Sequence, residues 1–192
     1  MEKYISKKEK ASYGFAAVGS YMVAGITQSY LMYFFTDILI IPSAFVMMLM
    51  IVARAWDALN DPMMGVIVDR TSTKYGKMRP YVLVGSFLML FTTIVLFMPL
   101  TGAPTMFKMI FAAVSYIIFG MAYTLTDVPA MGLMSVATPN SDERASLLSF
   151  YVTVGSVGSL LPVGLLTIFQ SFIPEKYVYF AMSIFVGIIT SA

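Results

Sequence analysis

The chain has 192 residues, 59% of them hydrophobic and only 11% charged, with a mean hydropathy of +0.83. Ordinary globular domains carry about a quarter charged residues, so a water-soluble core is the weaker reading and a membrane protein the stronger. Cysteine and histidine are both absent, which excludes disulfides, thiolate or imidazole metal sites and cysteine or histidine catalysis, while a net charge of +2 is too small to point to nucleic acid.

The start, "MEKYISKKEKASYGF", is basic, but the apolar stretch after it is too long and too polar-speckled for a secretory signal and is read as a retained first span. Six apolar segments are predicted, at 12–37, 43–68, 80–100, 106–136, 146–172 and 177–192, an all-α membrane fold. The links carry helix breakers: "IIPS", "TGAP", "ATPNSDE" and "FIPEK". Lys3, Lys7, Lys8 and Lys10 precede the first segment, and Arg70, Lys74, Lys77 and Arg79 lie between the second and third. The 38–42 and 101–105 links hold no Lys or Arg, so the N-terminus is expected in the cytoplasm, with Lys108 and Lys176 dissenting on the outer side. The sixth segment has no basic flank after it, and the expectation is a chain truncated near the end of a six-helix unit.

The second segment contains "ARAWDALNDP", residues 53–62. At a rise of about 1.5 Å per residue from Ser43, Asp57 lies about 21 Å and Asp61 about 27 Å along the helix, within the membrane. Spacings of three and four put Arg54, Asp57 and Asp61 on one face, with Asn60 at its edge. That face is expected to look into the bundle, because an ionised side chain near the bilayer centre costs at least about 2.5 kcal/mol. Two carboxylates one turn apart also repel each other. Arg54 can neutralise one, and the other needs a proton, a metal ion or a second protein cation. An Arg–Asp pair gluing helices together is the plainer alternative. A Na⁺ or H⁺ site is the favoured one, with Asp57, Asp61 and the Asn60 amide as hard oxygen ligands. Pro62 leaves the Ala58 carbonyl free one turn back.

The fourth segment repeats the pattern in "GMAYTLTDVPAMGL", residues 120–133. Asp127 is its one charge, Pro129 frees the Leu125 carbonyl, and Thr124 precedes Asp127 by three residues. Two helices that pair an acid with a proline at one depth fit the nested three-plus-three inverted repeats of major-facilitator transporters. A lone buried Asp capped by hydroxyls is the bland alternative for Asp127. Enzyme readings fare poorly: no serine motif has a plausible base, and acids one turn apart beside Arg54 suit ion binding better than a protease dyad.

Taken together, "ASYGF", "YLMYFFTD", "VARAWDALNDPMMGVIVDRT", "GKMRP" and "GMAYTLTDVP" resemble the glycoside-pentoside-hexuronide:cation symporters, the melibiose permease-like major facilitators. The similarity runs in order through the fourth segment and thins in the fifth and sixth. The resemblance implies a twelve-helix fold in two six-helix domains, of which residues 1–192 would be the N-terminal one, lodged in the bacterial inner membrane. It implies a secondary transporter that couples a sugar, glycoside or uronide to Na⁺ or H⁺ by alternating access, with no cofactor beyond the coupling ion. Its partners would be the small-molecule solute, the lipid bilayer and the C-terminal six-helix domain.

By the same resemblance, Asp57, Asn60, Asp61 and Thr124 match positions that bind the coupling cation, with Asp57 and Asp61 as the Na⁺ ligands of a sodium-coupled protein. Asp127 matches the helix-four acid that grips a solute hydroxyl. Asp69, Arg70 and Arg79 match a cytoplasmic charge latch, to which Arg54 is added as a gating residue. The solute side departs from the pattern: Tyr21 stands where melibiose-type relatives have an acid, Met131 where they have a stacking aromatic, and Tyr151 where they have an arginine. Tyr21 and Gln28, two turns apart on one face, still offer a hydroxyl and an amide. A different solute from melibiose is expected, with a lysolipid-like cargo or a non-transporting scaffold or sensor as the alternatives.

Overall fold

The computed structural model describes residues 5–191; Lys3 and Ala192 lie outside them. Six α-helices follow one another: α1 Lys7–Tyr33, α2 Ser43–Arg70, α3 Arg79–Leu96, α4 Thr105–Val136, α5 Ser141–Gln170 and α6 Glu175–Ser191. Their bounds differ from the apolar segments where capping chemistry extends or cuts a helix. The first starts at Lys7 rather than 12 because Ser6 and Glu9 form a capping box: Ser6 Oγ accepts from Glu9 N at 3.2 Å, and Ser6 N donates to Glu9 Oε2 at 2.8 Å. These bonds, the Ser6 backbone N–H foremost, hold the Glu9 carboxyl below its ordinary range. Helix α5 starts at Ser141 because the Asn140 side chain accepts from Asp142 N at 2.9 Å and Glu143 N at 3.4 Å. Helix α3 ends at Leu96, short of the predicted 100, since Pro99 disfavours helical backbone in the residue before it.

Four helices, α2 to α5, are long and apolar enough to cross a bilayer. By contrast, α1 is diluted by Ser20, Tyr21, Thr27, Gln28 and Ser29, and α6 has 17 residues among those described. Helix α1 packs on α5 and α6, α3 on α4 and α6, and α2 on α4. The α1–α5 seam is close enough for backbones to touch. A Cβ added at Gly25 would lie 2.3 Å from the Ser159 carbonyl oxygen, and one at Gly158 would lie 2.9 Å from Val18 Cα. The main core gathers at the α1–α2 end of the bundle around Phe34, Phe97 and Tyr179, with the Phe34 ring centroid 5.2 Å from Phe97 and 5.9 Å from Tyr179.

Beyond Tyr33 the chain makes one π-helical turn, Phe34–Ile38, closed by Leu39 N donating to Phe34 O at 2.9 Å. Ile40 then takes φ 58°, a strained value for a β-branched residue. Lys108 holds this turn in place. Only 6% exposed, it reaches from α4 to donate from Nζ to the Leu39 carbonyl at 3.0 Å. Its charge is spent at the carbonyl end of the π-helical turn that continues α1, where a cation is favoured. Lys176 lies over the Tyr177 ring, 4.6 Å from the centroid. Replacing Lys108 by Met removes a charged donor from a buried carbonyl and should cost about 1.5–3 kcal/mol. A thermal unfolding midpoint unchanged from wild type in detergent would contradict this role.

Candidate cation and solute site

Helix α2 buries Val46, Leu49, Ala53, Asn60, Met64 and Val68, a stripe at spacings of three and four with one seven-residue step. Arg54, Asp57 and Asp61 lie on the adjoining face. They do not enter the core; they line an open cavity of about 500 Å³ between α1, α2 and α4. Asp57 is half-buried there and Asp61 exposed. The cavity answers the problem of acids at membrane depth, because carboxylates that line an open recess face neither the lipid nor the packed interior.

Helix α4 meets these acids with residues at the same one-turn spacing. Thr124 Oγ1 donates to Asp61 Oδ1 at 2.9 Å. A Cβ at Gly120 would come within 3.2 Å of Asp57 Oδ1, so the absence of a side chain there lets the carboxylate lie close against α4. Asp127 lines the same cavity, as does Gln28 of α1. Asn60 is 5% exposed and does not line the cavity, and its Nδ2 is buried without a hydrogen-bond partner. Among the described residues no three His, Cys, Asp or Glu side chains cluster to hold a metal. An ion in this cavity would meet the two carboxylates and the Thr124 hydroxyl, with the Asn60 amide outside the lining. Pro62 and Pro129 each remove one hydrogen bond, yet α2 and α4 run unbroken through them.

A second cavity of about 330 Å³ opens between α1, α4 and α5, lined by Tyr21, Gln28, Ser29, Tyr123, Ser156 and Ser159 among others. It shares Ala24, Gln28 and Tyr123 with the first, so the two recesses have a common wall. Tyr151 and Met131 line neither cavity. Tyr151 is 2% exposed and packed edge-on against Tyr21 with ring centroids 6.0 Å apart at 78°. Met131 packs in the same small cluster, beside Ala17, Met134 and Leu147. Tyr151 thus bears on the cavity through the Tyr21 ring it touches, and Met131 packs in the cluster next to it.

Asp69 and Arg70 end α2, and Arg79 opens α3, all exposed. They are brought to the two ends of the 71–78 connection, and Asp69 lies two turns, about 12 Å, beyond Asp61. The connection is tied by Thr73 Oγ1 donating to Gly76 O at 2.6 Å, with Gly76 at φ 92°, where a side chain would be strained.

Sequence reasoning missed Thr27, Trp56, Tyr116, Gly120 and Tyr123, all lining the first cavity. A usable signal was present on α4: 116, 120, 123 and 127 repeat at helical spacing through the one acidic position of that segment.

The chain matches the family model described as MFS/sugar transport protein over residues 12–192. It is similar to the inner membrane symporter YicJ of Escherichia coli (strain K12), 37% identical over 157 residues that cover 82% of this chain and 34% of the relative. It is 32% identical to the putative glycoside/cation symporter YagG of the same organism, over 84% of this chain and 35% of the relative. It is also 31% identical to the isoprimeverose transporter of Lactiplantibacillus pentosus, over 80% of this chain and 32% of the relative. The chain thus spans about a third of the length of the curated relatives it matches. From the residues 12–192 match and these symporter relatives, the chain is an integral membrane protein of the MFS/sugar transport protein family, the melibiose permease-like major facilitators, whose members are transporters and not enzymes.

Proposed function

We propose that the full protein is a secondary active symporter that couples a sugar or glycoside to Na⁺ or H⁺ by alternating access. One observation carries this reading: Asp57 and Asp61, one turn apart on α2, are met by Gly120 and Thr124, one turn apart on α4, with Thr124 bonded to Asp61 at 2.9 Å. Carboxylates held this close favour a shared cation, because a bound ion or proton relieves their repulsion. Asn60 is the fourth ion-binding candidate. Its amide oxygen is the atom that would meet an ion; the unpartnered Nδ2 is a donor and carries a cost of about 1–3 kcal/mol.

Asp127, Tyr21 and Gln28 are the solute contacts of this proposal, with Met131 and Tyr151 shaping Tyr21 from behind. The Asp127 carboxylate accepts hydroxyl hydrogen bonds, and it shares a cavity with the ion-binding acids. Filling the ion position lowers the negative charge around Asp127, so ion and solute favour one another, and the coupling is reciprocal. Arg54 balances part of that charge, and Asp69, Arg70 and Arg79 form the cytoplasmic latch.

Helix pairing supports a three-plus-three inverted repeat. Exchanging α1, α2 and α3 with α4, α5 and α6 turns the α1–α5 contact into α4–α2 and the α3–α4 contact into α6–α1, and it returns α3–α6 to itself. All five contacts are present. The basic residues at 7–10 and 70–79 support a cytoplasmic N-terminus, more so with Lys108 buried as a helix cap. A second six-helix domain, in keeping with the length of the relatives, would close the cavity from the opposite side.

Uptake of isoprimeverose into cells or liposomes bearing the full protein tests the reading, with the sodium and proton gradients imposed separately. Asp57→Asn and Asp61→Asn should each abolish the dependence on the coupling ion; unchanged ion dependence would overturn the site. Thr124→Ala should raise the half-saturating ion concentration about tenfold, while Thr124→Ser keeps the hydroxyl and stays near wild type. For Asp127→Asn, the expected result is loss of solute affinity, and intact affinity would remove it from the solute site.

A further inference from the structure

We propose that Gly155 of α5 is a positioning residue that sets the width of the solute cavity through Tyr21. A Cβ added at Gly155 would meet three atoms of one ring: Tyr21 Cδ2 at 2.6 Å, Cγ at 2.7 Å and Cε2 at 2.9 Å. These atoms include the root of the ring, which cannot step aside as a flexible side-chain tip would. Tyr151 also meets the same ring edge-on, 6.0 Å between centroids, and Tyr151 is itself 2% exposed, so it is not free to move away. Tyr21 thus has Gly155 and Tyr151 as close neighbours, and it borders the cavity it lines with Gln28, Ser156 and Ser159.

Two other α1–α5 glycines work differently. At Gly25 and Gly158 an added Cβ meets the backbone of the opposite helix, Ser159 in one case and Val18 in the other, so these positions set how close the helices come. At Gly155 the nearest atoms all belong to a single cavity-lining side chain. A methyl group there drives the Tyr21 ring toward the cavity and narrows it. This rests on the proposed solute role of that cavity only for its effect on transport; the narrowing itself does not depend on it.

The natural chain has no cysteine, so Gln28→Cys introduces a sole thiol in this segment, in the wall shared by both cavities. Its rate of modification by a small cationic methanethiosulfonate reagent is read in membranes containing the full-length protein, with any cysteine elsewhere in that protein replaced. Adding Gly155→Ala should slow labelling at least fivefold. In a Tyr21→Ala background, Gly155→Ala should change the rate less than twofold, because the displaced ring is gone. Gly158→Ala serves as the contrast: its loss of thermal stability is not rescued by Tyr21→Ala, whereas that of Gly155→Ala is. Unchanged labelling in Gly155→Ala, or slowing that persists without the Tyr21 ring, would overturn the proposal. If Gly155→Ala does not fold, recovery of folded protein in the Gly155→Ala/Tyr21→Ala double variant supports it, and failure of the double variant refutes it. In uptake, Gly155→Ala should raise KM for isoprimeverose and leave the half-saturating ion concentration unmoved. Should wild type not carry isoprimeverose, the transport reading fails on that cargo while the labelling result still decides the role of Gly155.

Discussion

Two carboxylates one helical turn apart at membrane depth impose the condition around which the site is arranged. At an effective dielectric of about 20, unit charges 4 Å apart interact by about 4 kcal/mol, so carboxylates on neighbouring turns of one helix call for compensation. Three features answer the condition together. The open cavity admits water or an ion, Arg54 lies on the same face, and Thr124 donates to Asp61. Each is modest alone. In combination they leave the pair short of neutrality by about one positive charge, the amount a monovalent ion or a proton supplies. A site with full compensation from the protein would be a stable glue between helices and would have no use for a transported ion.

The helix pairing divides the work. Contact between α2 and α4 is loose enough for a cavity, and it brings together the ionisable groups. Contact between α1 and α5 is tight, built on Gly25 and Gly158, and a tight seam gives the rigid wall that recognition of a polar solute needs. Gln28 and Tyr123 line both recesses, so a change on the ion side has a short physical path to the solute side. That path runs through packed side chains, and Asp127 adds an electrostatic one.

Much of this was legible in the sequence because charge is scarce in it. Where only 11% of residues are charged, each acid in an apolar run stands out, and helical spacing alone put Arg54, Asp57 and Asp61 on one face. The helix centres were equally plain. The ends were not, since they depend on caps such as Ser6, Glu9 and Asn140, whose partners lie outside the apolar run. Contacts between helices were the least legible. Nothing in the spacing of α4 says that Thr124 bonds to Asp61 and not to Asp127 three residues on, or that Gly120 faces Asp57. Lys108 shows the same limit: a lysine beside an apolar run reads as a flank until its Nζ is found on the Leu39 carbonyl. Tyr151 and Met131 were picked by correspondence with family positions, and correspondence does not report that this Tyr151 lies behind Tyr21 and away from the cavity.

The relation between Tyr21 and Tyr151 bears on the cargo. Melibiose-type relatives are expected to carry an acid at the first position and an arginine at the second, groups of opposite charge. In this protein the two positions are occupied by tyrosines whose rings meet edge to face at 6.0 Å. Replacing one member of a close charge pair would strand the other in a poorly solvated place, at several kcal/mol, whereas replacing both with packed rings is tolerated. Edge-to-face rings recover about 0.5–1.5 kcal/mol beyond their buried area. The double replacement clears formal charge from the α1–α5 wall and leaves hydroxyls and an amide there. Arg54, Asp57, Asp61 and Asp127 remain as the formally charged side chains of the two cavities, all of them on α2 and α4. Ionic groups are thereby concentrated on the side where the cation is proposed to bind, and the opposite wall of the proposed solute site offers shape and neutral hydrogen bonds.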